Sequence, residues 1–306
     1  MQHVFGPVPS RRLGYSLGVD IIPPKYCTFD CVYCQVGRTT HVQTARESFY
    51  DPDAVIGQVL EKVSRGGTVD VITFSGSGEP TLNSDLGLMI REMKKRTHIP
   101  IAVITNGSLL SLKEVREEIM QADIILPSLD AASQNIFERI NRPHRSVRIN
   151  TIVEGLQAFR KEFAGEIWLE IMLIKNMNDD PQELKRMAGI VSSLHMDRVQ
   201  LNTVTRPPSE PSSMRLSDSE LRNICRTFGP ACEIISTFEK TADIHVDTSE
   251  ASLIRETLKR RPLTLDDIVR ITGMSHFDAK TRLGILEKEG LVKTAVVNDE
   301  LYYVST

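Results

Sequence analysis

A chain of 306 residues is long enough for one large domain and a small second one. Its 41% hydrophobic and 25% charged content is that of an ordinary folded protein, and a net charge of −3 supports neither a nucleic-acid-coating protein nor an acidic tail. No apolar run approaches the roughly 18 residues that span a bilayer, and residues 1–14 hold two arginines but no apolar core of a secretion signal, so a cytoplasmic location is expected.

Taken in order, residues 16–23 read as a short buried strand closed by Pro23 and Pro24. The loop that follows carries Cys27, Cys31 and Cys34, with three and then two residues between them. Residues 51–65 have a helical pattern, with Asp51 or Asp53 as cap and Pro52 in the first turn. Strand and helix then alternate. Strand 70–75 is followed by Gly76, Ser77, Gly78, Glu79 and Pro80, strand 100–105 by Asn106 and Gly107, and strand 123–128 by Leu129 and Asp130. Helices 84–96 and 111–121 lie between them, and a helical region broken around Pro143 runs on to Phe163. Strand 166–174 precedes a segment holding Asn178, helix 181–193 follows, and strand 198–204 leads into Thr205 and Arg206.

Six such units, the sixth helix poorly defined, imply a parallel sheet with right-handed crossovers, as a partial barrel or as a doubly wound sheet. In either, the distinctive segments fall on the carboxyl edge of the sheet, where these folds place their active sites. One large cleft is therefore expected. From about Asp247 the pattern changes to three helices (249–261, 265–272 and 275–290) and two short strands around a turn at Asn298 and Asp299. That is the pattern of a winged-helix domain, so the chain divides into an α/β unit at 1–246, with its core to about 210, and a winged-helix unit at 247–306.

Three cysteines at this spacing have no use in a hydrophobic core, whereas a metal centre needs them. Zinc favours four closed protein ligands or three plus water, while all-sulfur ligation at tight spacing suits an iron–sulfur cluster. A four-iron cluster on three cysteines keeps one iron without a protein ligand. The other two cysteines, Cys225 and Cys232, have six residues between them and read as free, partly buried thiols.

Cys-x3-Cys-x2-Cys after the first strand, with Tyr33 just before the last cysteine and Gly-Ser-Gly-Glu-Pro after the second strand, resembles the radical S-adenosylmethionine (radical SAM) superfamily. More narrowly, segments 6–14 and 74–82 resemble a group of Fe–S oxidoreductases related to the radical SAM enzymes of tRNA wybutosine synthesis. The resemblance covers residues 1 to about 210 and implies an α/β fold, a partial (β/α)6 TIM-like barrel. It implies that Cys27, Cys31 and Cys34 ligate a [4Fe–4S] cluster whose open iron is chelated by S-adenosyl-L-methionine. Gly76, Ser77, Gly78 and Glu79 would meet the methionine amino group, Ser77 standing where many members have glycine. Tyr33 would lie near the adenine, and Asn106, Ser128, Asp130 and Asn178 near the ribose and methionine moieties.

The implied activity is reductive cleavage of S-adenosylmethionine to a 5′-deoxyadenosyl radical. That radical takes hydrogen from an unidentified substrate, an RNA or a protein or peptide, with a flavodoxin- or ferredoxin-type electron donor. Two alternatives stand beside it: a glycyl-radical activase or peptide modifier, and an Fe–S-sensing regulator that reads DNA through the winged helix. Arg11, Arg12 and Arg206 are candidates either for a substrate phosphate or carboxylate or for structural salt bridges. His144, between Arg142 and Arg145, reads as a solvated helix end. Between 249 and 306 nine basic residues balance nine acidic ones, which favours a macromolecular substrate or partner over DNA without choosing its class. The run Lys259-Arg260-Arg261 reads as a helix end complementing the dipole.

Overall fold

The computed structural model describes residues 2–235 and 250–306. β1 (Val4–Ser10) and β2 (Gly14–Val19) form an antiparallel hairpin. The first of these is missing from the six-unit reading, because Pro7 and Pro9 each remove a ladder donor. An edge strand tolerates them, and β1 is paired on one side only. A short parallel pairing of β3 (Tyr26–Cys27) with β4 (His41–Val42) pinches off the cysteine loop.

Helix and strand then alternate through α1 (Pro52–Ser64), β5 (Val71–Phe74), α2 (Leu86–Arg96), β6 (Ile101–Thr105), α3 (Lys113–Ile119) and β7 (Ile124–Pro127). The series continues with α4 (Gln134–Asn141), α5 (Ile149–Glu162), β8 (Glu166–Leu173), α6 (Pro181–Leu194), β9 (Arg198–Thr203), α7 (Asp218–Thr227) and β10 (Cys232–Ile234). Caps set several of the helix starts. The Asp51 carboxylate accepts from Asp53 N–H, Asp180 accepts from Gln182 and Glu183 N–H, and Ser217 with Glu220 forms a capping box at α7.

One eight-stranded sheet runs β1-β2-β5-β6-β7-β8-β9-β10, parallel from β2 onward. Strands that neighbour one another in chain order make a partial barrel, since a doubly wound sheet reverses its order at a switch point. Its inner strands are buried on both faces, as crossover helices require. Phe74, Met89, Ile90, Phe137 and Phe159 form part of the main core.

Cys225 and Cys232 are joined in a disulfide, which corrects the expectation of free thiols. The parallel pairing of β10 with β9 returns the chain to the end of α7, where the two Cα atoms are 5.7 Å apart, within disulfide range. Among the described residues no helix is long and apolar enough to cross a membrane.

The expected division at 246/247 and the helix start at Ser249 lie outside the described residues. Beyond them come α8 (Glu250–Leu258), α9 (Leu265–Thr272), α10 (His276–Lys288) and the antiparallel hairpin β11 (Val292–Val297) and β12 (Glu300–Ser305). Asn298 and Asp299 turn that hairpin at φ +53° and +62°, a left-handed pair these two residue types tolerate. The unit builds its own core from Ile254, Leu258, Leu263, Ile268, Ile271 and Leu283, and draws Phe5 and Val8 of β1 into it. At its other side Tyr302 OH donates to the Thr205 carbonyl at 2.8 Å and Asn298 Nδ2 to the Val204 carbonyl at 3.3 Å. It thus bridges β1 and the segment after β9, the two sides of the open barrel.

Phe74 is 0% exposed on the strand that carries the glycine turn. Phe74→Ala is expected to cost about 3–5 kcal/mol of folding stability, read as a lower urea midpoint at unchanged slope.

Candidate active site

The cysteine loop is fastened from several directions. Cys34 N–H donates to the Cys31 carbonyl (3.1 Å), Gln43 N–H to that of Cys27 (3.0 Å), and Ser209 Oγ to those of Cys31 and Val32 (2.8 and 2.9 Å). Buried Asp30 accepts from Thr39 N–H at 2.7 Å and Arg38 Nε at 2.9 Å, while its own N–H meets the Asn141 carbonyl where α4 ends. Arg142, beside the His144 that reads as a solvated helix end, pairs with Glu210 at 2.7 Å.

All three loop cysteines are free, and all three line one cavity of about 370 Å³. Burial, then the nearby Glu79 charge, pushes the Cys27 thiol up to about 12. Burial and Asp130 raise Cys31 well above its ordinary value, and burial raises Cys34. Without metal the three are therefore thiols at neutral pH, and a bound iron's positive charge would be what turned them into ligands. The donor set fits a cuboidal cluster. Among the described residues no three cysteine, histidine or acidic side chains converge on a single ion position, and each sulfur on such a cluster binds a different iron.

The turn after β5 lies against the loop. Gly76 has φ +148°, and a Cβ there would meet the Asp20 carboxylate at 2.4 Å. At Gly78 a Cβ would sit 1.7 Å from the Tyr26 carbonyl oxygen, so both glycines are required by close approach. Ser77 does not line the cavity. Its Oγ and N–H donate to Asp20 at 2.6 and 3.2 Å, which explains how a side chain is accommodated in this turn. The Asp20 Oδ2 that accepts from Ser77 Oγ also takes Arg260 Nε at 2.9 Å.

Glu79, also lining the cavity, accepts from Thr81 Oγ1 (2.6 Å), Thr105 Oγ1 (2.6 Å) and the N–H groups of Thr81 (3.1 Å) and Asn106 (2.7 Å). Burial raises its pKa against the pull of these donors.

The remaining expected residues divide. Asn106 lines the cavity, with Nδ2 3.6 Å from Cys27 Sγ and 2.7 Å from Thr28 Oγ1. Ser128 and Tyr33 line it as well. Tyr33 OH donates at 2.5 Å to Asp130, whose pKa burial raises to about 6 and which stands behind the wall. Asn178 is not brought to the cavity. It is 0% exposed, and its side chain serves Ile174 N–H and the Asp130 and Met172 carbonyls, all at 2.8 Å, so it ties a loop.

Two residues escaped the sequence reading. Asn141 Nδ2 reaches Cys31 Sγ at 3.4 Å and Asp130 at 2.7 Å, yet no motif marks the end of α4. Asp20 was hidden inside a run read as plain strand. The arginines also divide. Arg12 pairs with Glu170, whose carboxylate burial opposes but Arg12 and Asn202 hold below its usual pKa. Arg260 and Arg261 line the cavity, and Arg260 Nη1 also donates to the Glu256 carbonyl in the last turn of α8 at 2.8 Å, as expected of a residue complementing a helix end.

The radical SAM superfamily model matches residues 21–188. A UPF0026 protein of Helicobacter pylori (strain 26695) is 31% identical over 90% of this chain and 89% of its own length. A protein of Brachyspira hyodysenteriae named GTPase Obg is 37% identical over 99% of this chain, which spans only 45% of that relative's length. A probable dual-specificity RNA methyltransferase RlmN of Akkermansia muciniphila is 25% identical over 76% of this chain and 65% of its own. In fold, a radical SAM methyltransferase from Sphaerobacter thermophilus superposes with a TM-score of 0.57 at 19% identity, covering 72% of this chain and 65% of that one.

Two variants test the local geometry. Gly78→Ala is expected to push the turn off the cysteine loop, lowering bound iron and S-adenosylmethionine retention in equilibrium dialysis. Asn141→Leu removes an N–H from the Cys31 sulfur and is expected to shift the midpoint potential in a potentiometric titration to a more negative value. With more than half the residues matched, on the segment that carries every free sulfur and the glycine turn, the chain belongs to the radical SAM superfamily. It is accordingly an enzyme whose cofactors are a [4Fe–4S] cluster and S-adenosylmethionine.

Proposed function

We propose that this enzyme takes a hydrogen atom from an RNA substrate held between the barrel and the C-terminal unit. We further propose that it works in the cytoplasm with a flavodoxin- or ferredoxin-type electron donor. One observation carries the reading: the cavity walled by Cys27, Cys31 and Cys34 is also walled by Arg260 and Arg261 of the C-terminal unit. A unit that only reported the state of a cluster would have no reason to contribute side chains to the reaction chamber. Similarity to an RNA methyltransferase favours RNA over a peptide. Three helices and a hairpin with a tight turn at Asn298 and Asp299 support a winged-helix assignment for residues 247–306.

Within this reading Cys27, Cys31 and Cys34 would hold the cluster. The backbone of Gly76 and Gly78, together with Glu79, would receive the methionine amino group, since these line the same cavity. When bound, the two cofactors supply an electron and a 5′-deoxyadenosyl radical, and the protein supplies position and exclusion of water. Tyr33, held by Asp130, gives the adenine a fixed aromatic neighbour. Asn106 and Ser128 offer polar groups to the ribose. Asn141 and Asn106 hold Cys31 and Cys27 in place through their N–H groups.

Anaerobic reconstitution with iron, sulfide, reductant and S-adenosylmethionine is expected to yield slow 5′-deoxyadenosine, measured by mass spectrometry and accelerated by an unmodified tRNA pool but not by a peptide pool. Acceleration by peptides alone would overturn the RNA reading. Retardation of duplex DNA at physiological salt, with no such product, would favour the regulator.

A further inference from the structure

We infer that Arg11, Arg206 and Arg261 form a phosphate-binding subsite in the wall of the reaction cavity, which takes a phosphate group of the substrate. The inference rests on the proposed function only in assuming that a substrate enters this cavity. All three residues line it, one from the β1–β2 turn, one from the segment after β9 and one from the end of α8. Of the five arginines around the cavity, Arg12 is committed to Glu170 and Arg260 to Asp20. The remaining three lack such partners. Arg261 spends Nη1 on the Pro9 carbonyl at 3.5 Å, while its Nε and Nη2 are buried without a hydrogen-bond partner. Arg206 Nε is likewise buried and unsatisfied, and its nearest carboxylate oxygen, on Asp267, is 3.9 Å from Nη2. Among the described residues Arg11 makes no side-chain hydrogen bond or ion pair.

Asp267 serves Arg206 and Arg261 at a distance, and Arg11 shares the Glu170 charge with Arg12. Four guanidinium groups against these two carboxylates leave two positive charges uncompensated in a desolvated place. Unpaired buried charge is among the most costly features a fold can carry, so it persists where something else offsets it. Burial, and then Arg206, lower the pKa of Arg11 to about 10 and that of Arg261 to about 9. Both stay charged at neutral pH. A tetrahedral dianion has the charge to balance the site and enough acceptor oxygens for the idle N–H groups, and arginine forks suit phosphate geometry. A carboxylate offers one charge and a planar pair of oxygens, which leaves part of the site unmet. The same phosphate dianion could come from a small phosphomonoester or from the terminal 5′-phosphate of an RNA.

The test reads binding without turnover. Isothermal titration of the reconstituted holoenzyme, without S-adenosylmethionine, is run with inorganic phosphate, ribose 5-phosphate, succinate and a short single-stranded RNA with and without a 5′-phosphate. Arg261→Gln and Arg206→Gln are measured beside the wild type, and circular dichroism confirms that each is folded. Phosphate and the phosphomonoester are expected to bind the wild type, each variant losing about tenfold or more. No phosphate binding, undiminished binding by both folded variants, or succinate bound as tightly as phosphate would each overturn the subsite. RNA bound in proportion to its 5′-phosphate identifies an RNA source. Phosphomonoester binding without RNA binding supports the subsite while removing the RNA substrate. RNA binding that neither variant weakens does the reverse.

Discussion

A single buried carboxylate organises the functional half of this molecule. Asp20 leaves the end of β2 and receives Ser77 through both its hydroxyl and its amide, and Arg260 through its Nε. A buried carboxylate needs such partners, because an unpaired charge there would be neutralised or would destabilise the fold. The partners come from two places that have no other reason to cooperate: the turn that faces the cysteine loop and the end of α8 in the C-terminal unit. Gly76 is glycine because Asp20 occupies the space a side chain would need. The shape of the turn and the docking of the C-terminal unit therefore rest on the same two oxygen atoms.

Some of this was legible in the residues alone. Three cysteines at tight spacing announce a metal centre because no packing requirement reproduces them. The placement of Gly76, Gly78, Glu79, Asn106 and Ser128 around one opening followed from the alternation of strand and helix, since a parallel sheet brings all its strand ends to one edge. What escaped depended on tertiary partners. Asn141 ends an ordinary amphipathic helix, and only folding brings it to Cys31. β1 was lost because its prolines argue against a strand unless the strand is known to be an edge. Asn178 shows the converse case: a polar residue at a strand end looked like a ligand contact, whereas its side chain satisfies backbone groups of its own segment and the Asp130 carbonyl after β7. Arg261 had a plausible surface explanation, and its burial could be seen only once the last helices were set against the first strand.

The half-buried thiols carry a related lesson about charge. At each of the three loop cysteines a thiolate would be unfavourable by itself, with Glu79 or Asp130 adding repulsion at two of them. The neutral loop and a loop holding a charged cluster would thus be two different electrostatic states of one cavity. The amide groups of Asn106 and Asn141, directed at sulfur, favour the second.

The bridging position of the C-terminal unit also bears on how the chain reaches its native state. Phe5 and Val8 lie on an edge strand, and the apolar cluster that covers them is made from residues some 250 positions further along. Closing so long a loop adds little to the equilibrium cost, since that cost grows only logarithmically with length, but such distant contacts form slowly. Until α8 and α9 exist, β1 offers an unpaired edge with uncovered side chains, the kind of surface on which chaperones act and from which aggregates start. Cysteine loop, glycine turn and barrel can be complete while one wall of the chamber is still missing. The cavity is therefore complete only once the last helices have closed on the first strand.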